Sequence, residues 1–440
     1  RATSQWFISM ESKGLRRKAL SEIDKVKWIP DGSKNRIYSM VKERPDWCIS
    51  RQRFWGVPIT IFINKNSGSP LIDKKVNDKI INIIEKEGIE CWFTKPNSYF
   101  LPNDYVPSDY EKVNSILDVW FDSGSSHVYV LKDNNISSKA DLYVEGTDQH
   151  RGWFQTSLLE SCANYGESPY KAVLTHGFVI DEKGKKMSKS LGNVISPDDV
   201  IKKYGADILR IWVANSNFNE DIKISFENLE RQSESYRKIR NTLRFILGNM
   251  KNFKKKNEHY KSFDNLDKLI LNKLFSKNEE IEKLYKNFNF NRVFQIIVGF
   301  CSQELSAIFF DIRKDSLYCD SPESLKVKCS KTVLWHTFNC LIRWISPIIP
   351  FTAEEAWQSW REEIDEEAEE SCHLLKSLDL PSVWKNNEID LLWNKILIIK
   401  DLFSSIVENK RNNGEIKSSL EAEVFICLKN EFITIKNKNP

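Results

Sequence analysis

Two lysines three residues apart on a loop of small residues suit the chemistry of polyphosphate. Lys186 and Lys189 stand in the run Lys186-Met187-Ser188-Lys189-Ser190, with Gly184 and Lys185 before it and Leu191-Gly192-Asn193 after it. Their ammonium groups, together with the backbone N–H groups around Met187 and Ser188, can surround a triphosphate. Charge building on a departing pyrophosphate is stabilised there more than in the ground state, which is what raises a rate. The plain alternative is an exposed lysine-rich loop. A chance match to these five residues in a chain of 440 has odds on the order of one in several thousand. A second set of polar groups follows a strand-like run at 141–144: Glu145 and Gly146, then Asp148 and Gln149. At the open end of a parallel sheet such acceptors can bind an ammonium group and ribose hydroxyls. Asp148 or Gln149 could instead cap the helix expected from Gly152.

These groups need elements to hold them. From 117 to 219, strand-like and helix-like stretches alternate at 141–144, 152–165 and 172–180, followed by two helices. That is the order of a parallel α/β architecture. One helix is punctuated by Ser196 as N-cap, Pro197 at N1, Asp198 and Asp199 in the first turn and Gly205 as a stop. Residues 46–63 end in a run fit for a buried strand, and 64–107 reads as a polar peripheral insertion with one helix at 76–86. Beyond about 225 the pattern turns helical: Leu229, Tyr236, Ile239, Leu243, Ile246, Leu247 and Met250 recur at helical spacing. The expected fold is α/β followed by all-α, with a first domain over 1–224 and a helical one over 225–440.

An apolar content of 41% supplies more than one core. No run of eighteen apolar residues appears and the first twenty residues lack the apolar centre of a signal peptide, so no membrane and a cytoplasmic location are expected. The nine cysteines lie no closer than ten residues to one another, which rules out a local CxxC clamp and leaves reduced, mostly buried thiols. A balance of 65 basic against 61 acidic residues announces no nucleic-acid partner by itself. Local distribution does more: Arg231, Arg237, Lys238, Arg240, Arg244, Lys251 and Lys254 to Lys256 crowd a helix beginning near Asn228. Such a stripe can track RNA phosphates, or it can be a solvated helix face. The acidic run 361–370 reads as a solvated helix end or loop.

The lysine loop resembles the second signature of class I aminoacyl-tRNA synthetases. The segment Asp46-Trp47-Cys48-Ile49-Ser50-Arg51-Gln52-Arg53 with Trp55-Gly56-Val57-Pro58 is similar to one shared by the isoleucine, valine and leucine branches. Leu117 to Gly124 (LDVWFDSG) and Glu145 to Trp153 (EGTDQHRGW) resemble the isoleucine branch specifically. The resemblance runs from Arg1 past Leu420. It implies a Rossmann-like catalytic domain and an anticodon-binding helical bundle, with ATP, Mg2+, isoleucine and tRNA(Ile) as ligands. It places Lys186 and Lys189 in catalysis. ATP would meet Lys189, Lys186, Met187, Ser188, His176, Gly177, Phe178, Asp148 and Gln149. The aminoacyl-adenylate would meet Glu145, Gly146 and Trp120. His176 could instead be a satisfied core histidine, and Trp120 plain core packing.

The same resemblance places tRNA along Arg237, Lys238, Arg240 and Arg244. Residues 302–320 and 344–357 resemble the anticodon-binding domain, with Pro347 and Pro350 ending one helix and Thr352 capping the next. No metal ligand and no zinc are expected in this chain, and a monomer is. The family's first, HIGH-type signature and a Thr-rich editing insertion are absent from the sequence. The expectation is therefore a fragment that lacks proofreading and needs an N-terminal half. A non-catalytic tRNA-binding derivative and a valine-specific relative are the rival readings.

Overall fold

A computed structural model describes residues 3–53, 55–251, 253, 262–418 and 421. The chain parts into two compact units, Arg1–Phe178 with Phe218–Asp221, and Val179–Asn217 with Ile222–Pro440.

The first unit is built on a three-stranded parallel sheet of β1 (Lys27–Ile29), β2 (Tyr143–Gly146) and β3 (Ala172–His176), with β3 in the centre. The central strand is buried through Val173, Leu174 and Thr175, as expected of a parallel strand covered on both faces. Register pairs Tyr143 with Val173 and Gly146 with His176, so β2 and β3 end level with each other. Two helices that bear on the site are α1 (Val119–Gly124) and α2 (Trp153–Asn164). Phe154 to Cys162 are all buried, with the polar Gln155, Thr156, Ser157, Glu160 and Ser161 among them, so α2 is enclosed nearly all round. Its core partners include Ile23, Trp28, Tyr143, Tyr170 and Val173.

Three expectations change here. The run 172–180 is not one strand, because β3 stops at His176 and the next strand begins at Val179. The run 46–63 supplies no central strand but short antiparallel pieces, Trp47–Cys48, Ser50–Arg51 and Phe62–Asn64, paired with Phe7–Ile8, Ile116–Leu117 and Tyr110–Lys112. The stretch 64–107 is more ordered than its polarity suggests. Its helix spans Lys74–Glu87, capped by Asp73, and Phe62, Val76, Ile80, Trp92 and Phe100 form a small core of their own.

The second unit opens with a parallel pair, β4 (Val179–Ile180) and β5 (Ile222–Lys223). Between them lie α3 (Pro197–Tyr204) and α4 (Ala206–Ala214). The expected punctuation is in place: the Ser196 side chain accepts from Asp199 N, Pro197 sits at N1, and Gly205 stops α3 at φ +89°. A helical bundle follows, with α5 (Phe226–Met250), α6 (Asn265–Lys286), a continuous run Phe290–Cys319, α7 (Leu325–Ile345), α8 (Pro350–Glu363) and α9 (Asn387–Asn412). Ile239, Leu243, Ile246 and Met250 of α5 face its core, where Phe338 stacks on Trp360 with ring centroids 4.1 Å apart. The run Phe290–Cys319 is long and apolar enough by composition to cross a membrane, yet Val293, Ile297, Phe300 and Phe309 are fully buried in this core.

Thr352 does not cap α8. That helix starts at Pro350, with Pro350 at N1, and Asp207 of α4 accepts from Phe351 N, Thr352 N and Thr352 Oγ1 instead. A carboxylate at a helix N-terminus satisfies orphan N–H groups and meets the positive end of the dipole, and here it comes from another helix. Pro347 lies in the turn after α7, which has already ended at Ile345. The acidic run leaves α8 at Glu363 and continues without regular structure.

Candidate active site

Site residues of the first unit gather at the level ends of β2 and β3. Gly146 is buried between them, and a Cβ there would lie 2.8 Å from Asp148 Oδ1, 3.8 Å from His176 Cε1 and 3.9 Å from Phe178 Cε1. A side chain there would push the Asp148 carboxylate aside, while His176 and Phe178 stand at ordinary contact distance, so Gly146 leaves room for the three to converge at this corner. Glu145 and Asp148 are exposed, and His176 is half-buried with Nδ1 2.8 Å from Gly177 O. A core histidine would be enclosed; His176 is not. In this unit the enclosed histidines are His127 and His150; His150 Nδ1 faces Thr147 O, and burial pushes its pKa down.

Gln149 divides its amide. Its Oε1 accepts from Trp153 N at 3.0 Å, capping α2, while its Nε2 donates to Asp148 Oδ2 at 3.1 Å. The cap foreseen for this helix thus belongs to Gln149, and the Asp148 carboxylate keeps an oxygen facing Gly146. Gly177 has a backbone reason for being glycine: a Cβ would stand 2.2 Å from Glu220 O. Segment Phe218–Asp221 closes on this corner through Gly177 N to Phe218 O and Phe178 N to Asp221 Oδ1. Asp221 is a residue that sequence reasoning missed, since nothing in its local pattern marks a partner so far back in the chain.

Trp120 lies on α1, 39% exposed, with its ring over Gly152. Helix α1 is tied at its start by Arg51 to Asp118 at 3.1 Å, and Phe121 packs on Trp47.

The lysine loop belongs to the second unit. Gly184, at φ +75°, turns the chain back, and Ile180 bridges Lys186 antiparallel. Asn193 organises the loop. Its Oδ1 accepts from Ser188 N at 2.9 Å, and its Nδ2 donates to Asp181 Oδ2 at 2.8 Å and to Lys186 O at 3.4 Å. That hydrogen bond, followed by the one from Lys185 N, holds the Asp181 carboxyl below its ordinary pKa. Ser188 caps the turn Lys189–Leu191, and Met187 packs against the helical core. Met187 and Ser188 are thus half-buried anchors, while Lys186 and Lys189 are exposed on either side of them. Among the described residues, the Lys189 ammonium has no recorded ion pair or hydrogen bond.

On α5, Arg237, Lys238, Arg240 and Arg244 are exposed. Arg231 differs, being paired with Glu227. Arg237, Arg240 and Arg244 share one helical face, three and four residues apart. Lys254 to Lys256 lie outside the described residues.

Among the described residues, one group could in principle hold a metal: ligand atoms of Glu354, Cys372 and His373 lie within 4.8 Å of one another. The Glu354 carboxylate is already occupied by Gln358 Nε2, Ser371 Oγ and Cys372 N, at 2.6 to 3.0 Å. Burial pushes its pKa up, but these donors outweigh burial and hold it at about 2. Burial and Glu354 push the Cys372 thiol to about 12. A protonated thiol beside a saturated carboxylate fits a fold clasp, not a thiolate ligand.

Comparison with known proteins agrees with both halves of the chain. Residues 1–225 match the family described as tRNA synthetases class I (I, L, M and V), and 267–426 match the anticodon-binding domain of tRNA ligase. The isoleucine--tRNA ligase of Pelagibacter ubique (strain HTCC1062) is 46% identical over 440 residues, covering 99% of this chain and 48% of that protein. That of Gluconobacter oxydans (strain 621H) is 44% identical over 433 residues, covering 98% and 45%. The chain thus spans about half the length of the curated relatives it matches. Among solved structures, an Agrobacterium radiobacter K84 LeuRS in a ternary complex with tRNA and LeuAMS superposes with TM-score 0.59 at 18% identity, over 78% of this chain and 43% of that one. Mycobacterium tuberculosis methionyl-tRNA synthetase with methionyl-adenylate gives 0.55 at 18% identity, over 81% and 62%. At such identity these two speak for the fold alone. The family match over more than half of the sequence, covering both the level strand ends and the lysine loop, places this chain in the class I tRNA synthetase family of the I, L, M and V enzymes.

Proposed function

We propose that the protein to which this chain contributes is an isoleucine--tRNA ligase. It activates isoleucine with ATP and passes the aminoacyl group to tRNA(Ile). The observation that carries the reading is the corner around Gly146, where β2 and β3 end level and Asp148, His176 and Phe178 meet. Isoleucine as the amino acid draws on the relatives of that name and on the run Glu145 to Trp153.

In the first step, a carboxylate oxygen of isoleucine attacks the α-phosphorus of ATP and the bond to pyrophosphate breaks. Lys186 and Lys189 stabilise the charge that develops on the departing group. Mg2+ enters with the nucleotide as its counter-ion. Glu145 accepts from the α-ammonium side, Asp148 accepts from the ribose, and Gln149 orients Asp148 through its amide. His176, Gly177 and Phe178 form the wall beside the base. In the second step, a hydroxyl of the tRNA 3′-terminal adenosine attacks the carbonyl and AMP leaves. Arg237, Lys238, Arg240 and Arg244 hold phosphates of the tRNA, positioning it without reading its sequence. A monomeric, cytoplasmic enzyme divided near residue 225 into catalytic and anticodon-binding parts completes the reading.

The test is pyrophosphate exchange into ATP with a panel of amino acids, on this chain alone and on the chain joined to the preceding half of the protein. Exchange that depends on isoleucine and needs the joined form supports the reading. Exchange driven by valine and not isoleucine would reassign the substrate. Specific tRNA binding with no exchange in either form would favour a non-catalytic binder.

A further inference from the structure

Helix α1, which carries Trp120, lies on α2 through two contacts that only glycine permits. The Trp120 ring covers Gly152 at the start of α2, where a Cβ would be 2.7 Å from Cη2 and 2.8 Å from Cζ3. In return, the Glu160 carboxyl, two turns along α2, covers Gly124 at the end of α1, where a Cβ would be 2.2 Å from Oε1 and 2.8 Å from Cδ. Glu160 is 5% exposed, and its Oε1 is buried without a hydrogen-bond partner. Stability does not account for such a group, because an unpaired buried carboxyl costs free energy that an apolar side chain there would not.

We infer that Glu160 is a positioning residue for the amino-acid pocket: as an uncharged acid it seats α1 on α2, and so sets where Trp120 stands toward the substrate side chain. This rests on the reading of Trp120 as a wall of that pocket. The surroundings favour the uncharged form. Burial first, then the Asp122 carboxylate of α1, push the Glu160 pKa up to about 9. Asp122 is itself raised by burial and by Asp118. His127 Nδ1 faces Gly124 O at 2.9 Å, and burial pushes its pKa down. From β2, Tyr143 is raised by burial and adds no charge, and Tyr129 reaches it only through space. The helix Leu15–Lys25 also packs on α2, but its Glu22 and Lys25 pair with each other and Glu22 accepts from Ser168 N. Among the described residues no cation pairs with Glu160. Ionisation would set two carboxylates of facing helices against each other, with Glu160 almost closed off from solvent, and lift α1, with Trp120, off α2.

The test uses the full-length protein carrying 5-fluorotryptophan, with the Trp120 resonance assigned through Trp120→Phe, together with isoleucine titrations of pyrophosphate exchange from pH 7 to 9.5. The Trp120 resonance should shift in one step near pH 9 in the wild type and not in Glu160→Gln. Over the same range KM for isoleucine should rise in the wild type and stay within about twofold in Glu160→Gln. Glu160→Ala should raise KM for isoleucine about tenfold with kcat and KM for ATP within about twofold. A Trp120 step identical in wild type and Glu160→Gln would overturn the inference, even if Glu160→Ala fails to fold. So would an unchanged isoleucine KM in Glu160→Ala, or equal losses for isoleucine and ATP. A Trp120 step lost in Glu160→Gln, with no isoleucine-dependent exchange in any variant, would uphold the helix seating and overturn the proposed reaction.

Discussion

Glu160 shows what a single residue in the wrong medium does to stability. Folded, it holds its proton to about pH 9; unfolded, it releases it near the ordinary 4.5. Between these values the folded chain binds more protons, so its stability falls as pH rises, by at most about 1.4 kcal/mol per unit. Glu160→Gln removes that dependence. Its urea midpoint should gain on the wild type progressively from pH 6 to 8.5, and a constant difference across that range would contradict the assignment. Single residues were also where the sequence was least legible. Lys186 and Lys189 announce themselves by type and spacing, and Glu145 and Asp148 by following a strand. Asn193, Asp221 and Asp207 do not, because each acts through a partner fixed only by the fold: Asn193 on Asp181 and Ser188, Asp221 on Phe178, Asp207 on Thr352.

At the scale of elements, local chemistry predicted what is locally determined. Ser196, Pro197 and Gly205 bound α3 because capping and φ restriction act within a turn. The helix at 74–87 and the helix from 226 follow their apolar spacing. Strands fared worse. The run 46–63 is rich in β-formers, but strand pairing is decided by distant partners, and these segments found short antiparallel ones. The start of α8 gives the sharpest case. Thr352 has the right residue type for a cap, but Pro350 takes N1 and the capping acceptor arrives from α4. Asp207 is 7% exposed and accepts three hydrogen bonds there. Asp207→Ala should therefore destabilise the helical unit by about 2–4 kcal/mol, since hydrogen bonds to a buried charge are worth more than neutral ones and its removal leaves N–H groups unmet. Calorimetry of the chain reads this. Thr352→Ala, which removes only one of the donors, should cost about 1 kcal/mol, and equal losses would contradict the assignment of the cap.

At the scale of the whole molecule, the order of α/β structure followed by helices was legible in the alternation of patterns before about 220 and its loss afterwards, while the compact units part between Phe178 and Val179, so that the lysine loop goes with the helical unit. Near-neutral overall charge conceals a stripe on α5 whose arginines are exposed. If that stripe follows tRNA phosphates, replacing Arg237, Arg240 and Arg244 together by alanine should reduce the slope of log affinity against log salt by about two to three, alike for cognate and non-cognate tRNA. Filter binding at several salt concentrations gives the slope. An unchanged slope would make the stripe a solvated helix face.

The lysine loop combines anchored Met187 and Ser188, a backbone tied by Asn193, and an exposed Lys189 proposed to meet the departing pyrophosphate. Its most direct test is isoleucine-dependent pyrophosphate exchange in the full-length protein with Lys189→Ala. The exchange rate should fall by about two to three orders of magnitude, the scale of losing one preorganised charge at a transition state, while tRNA affinity stays within about twofold. An exchange rate equal to that of the wild type would contradict it.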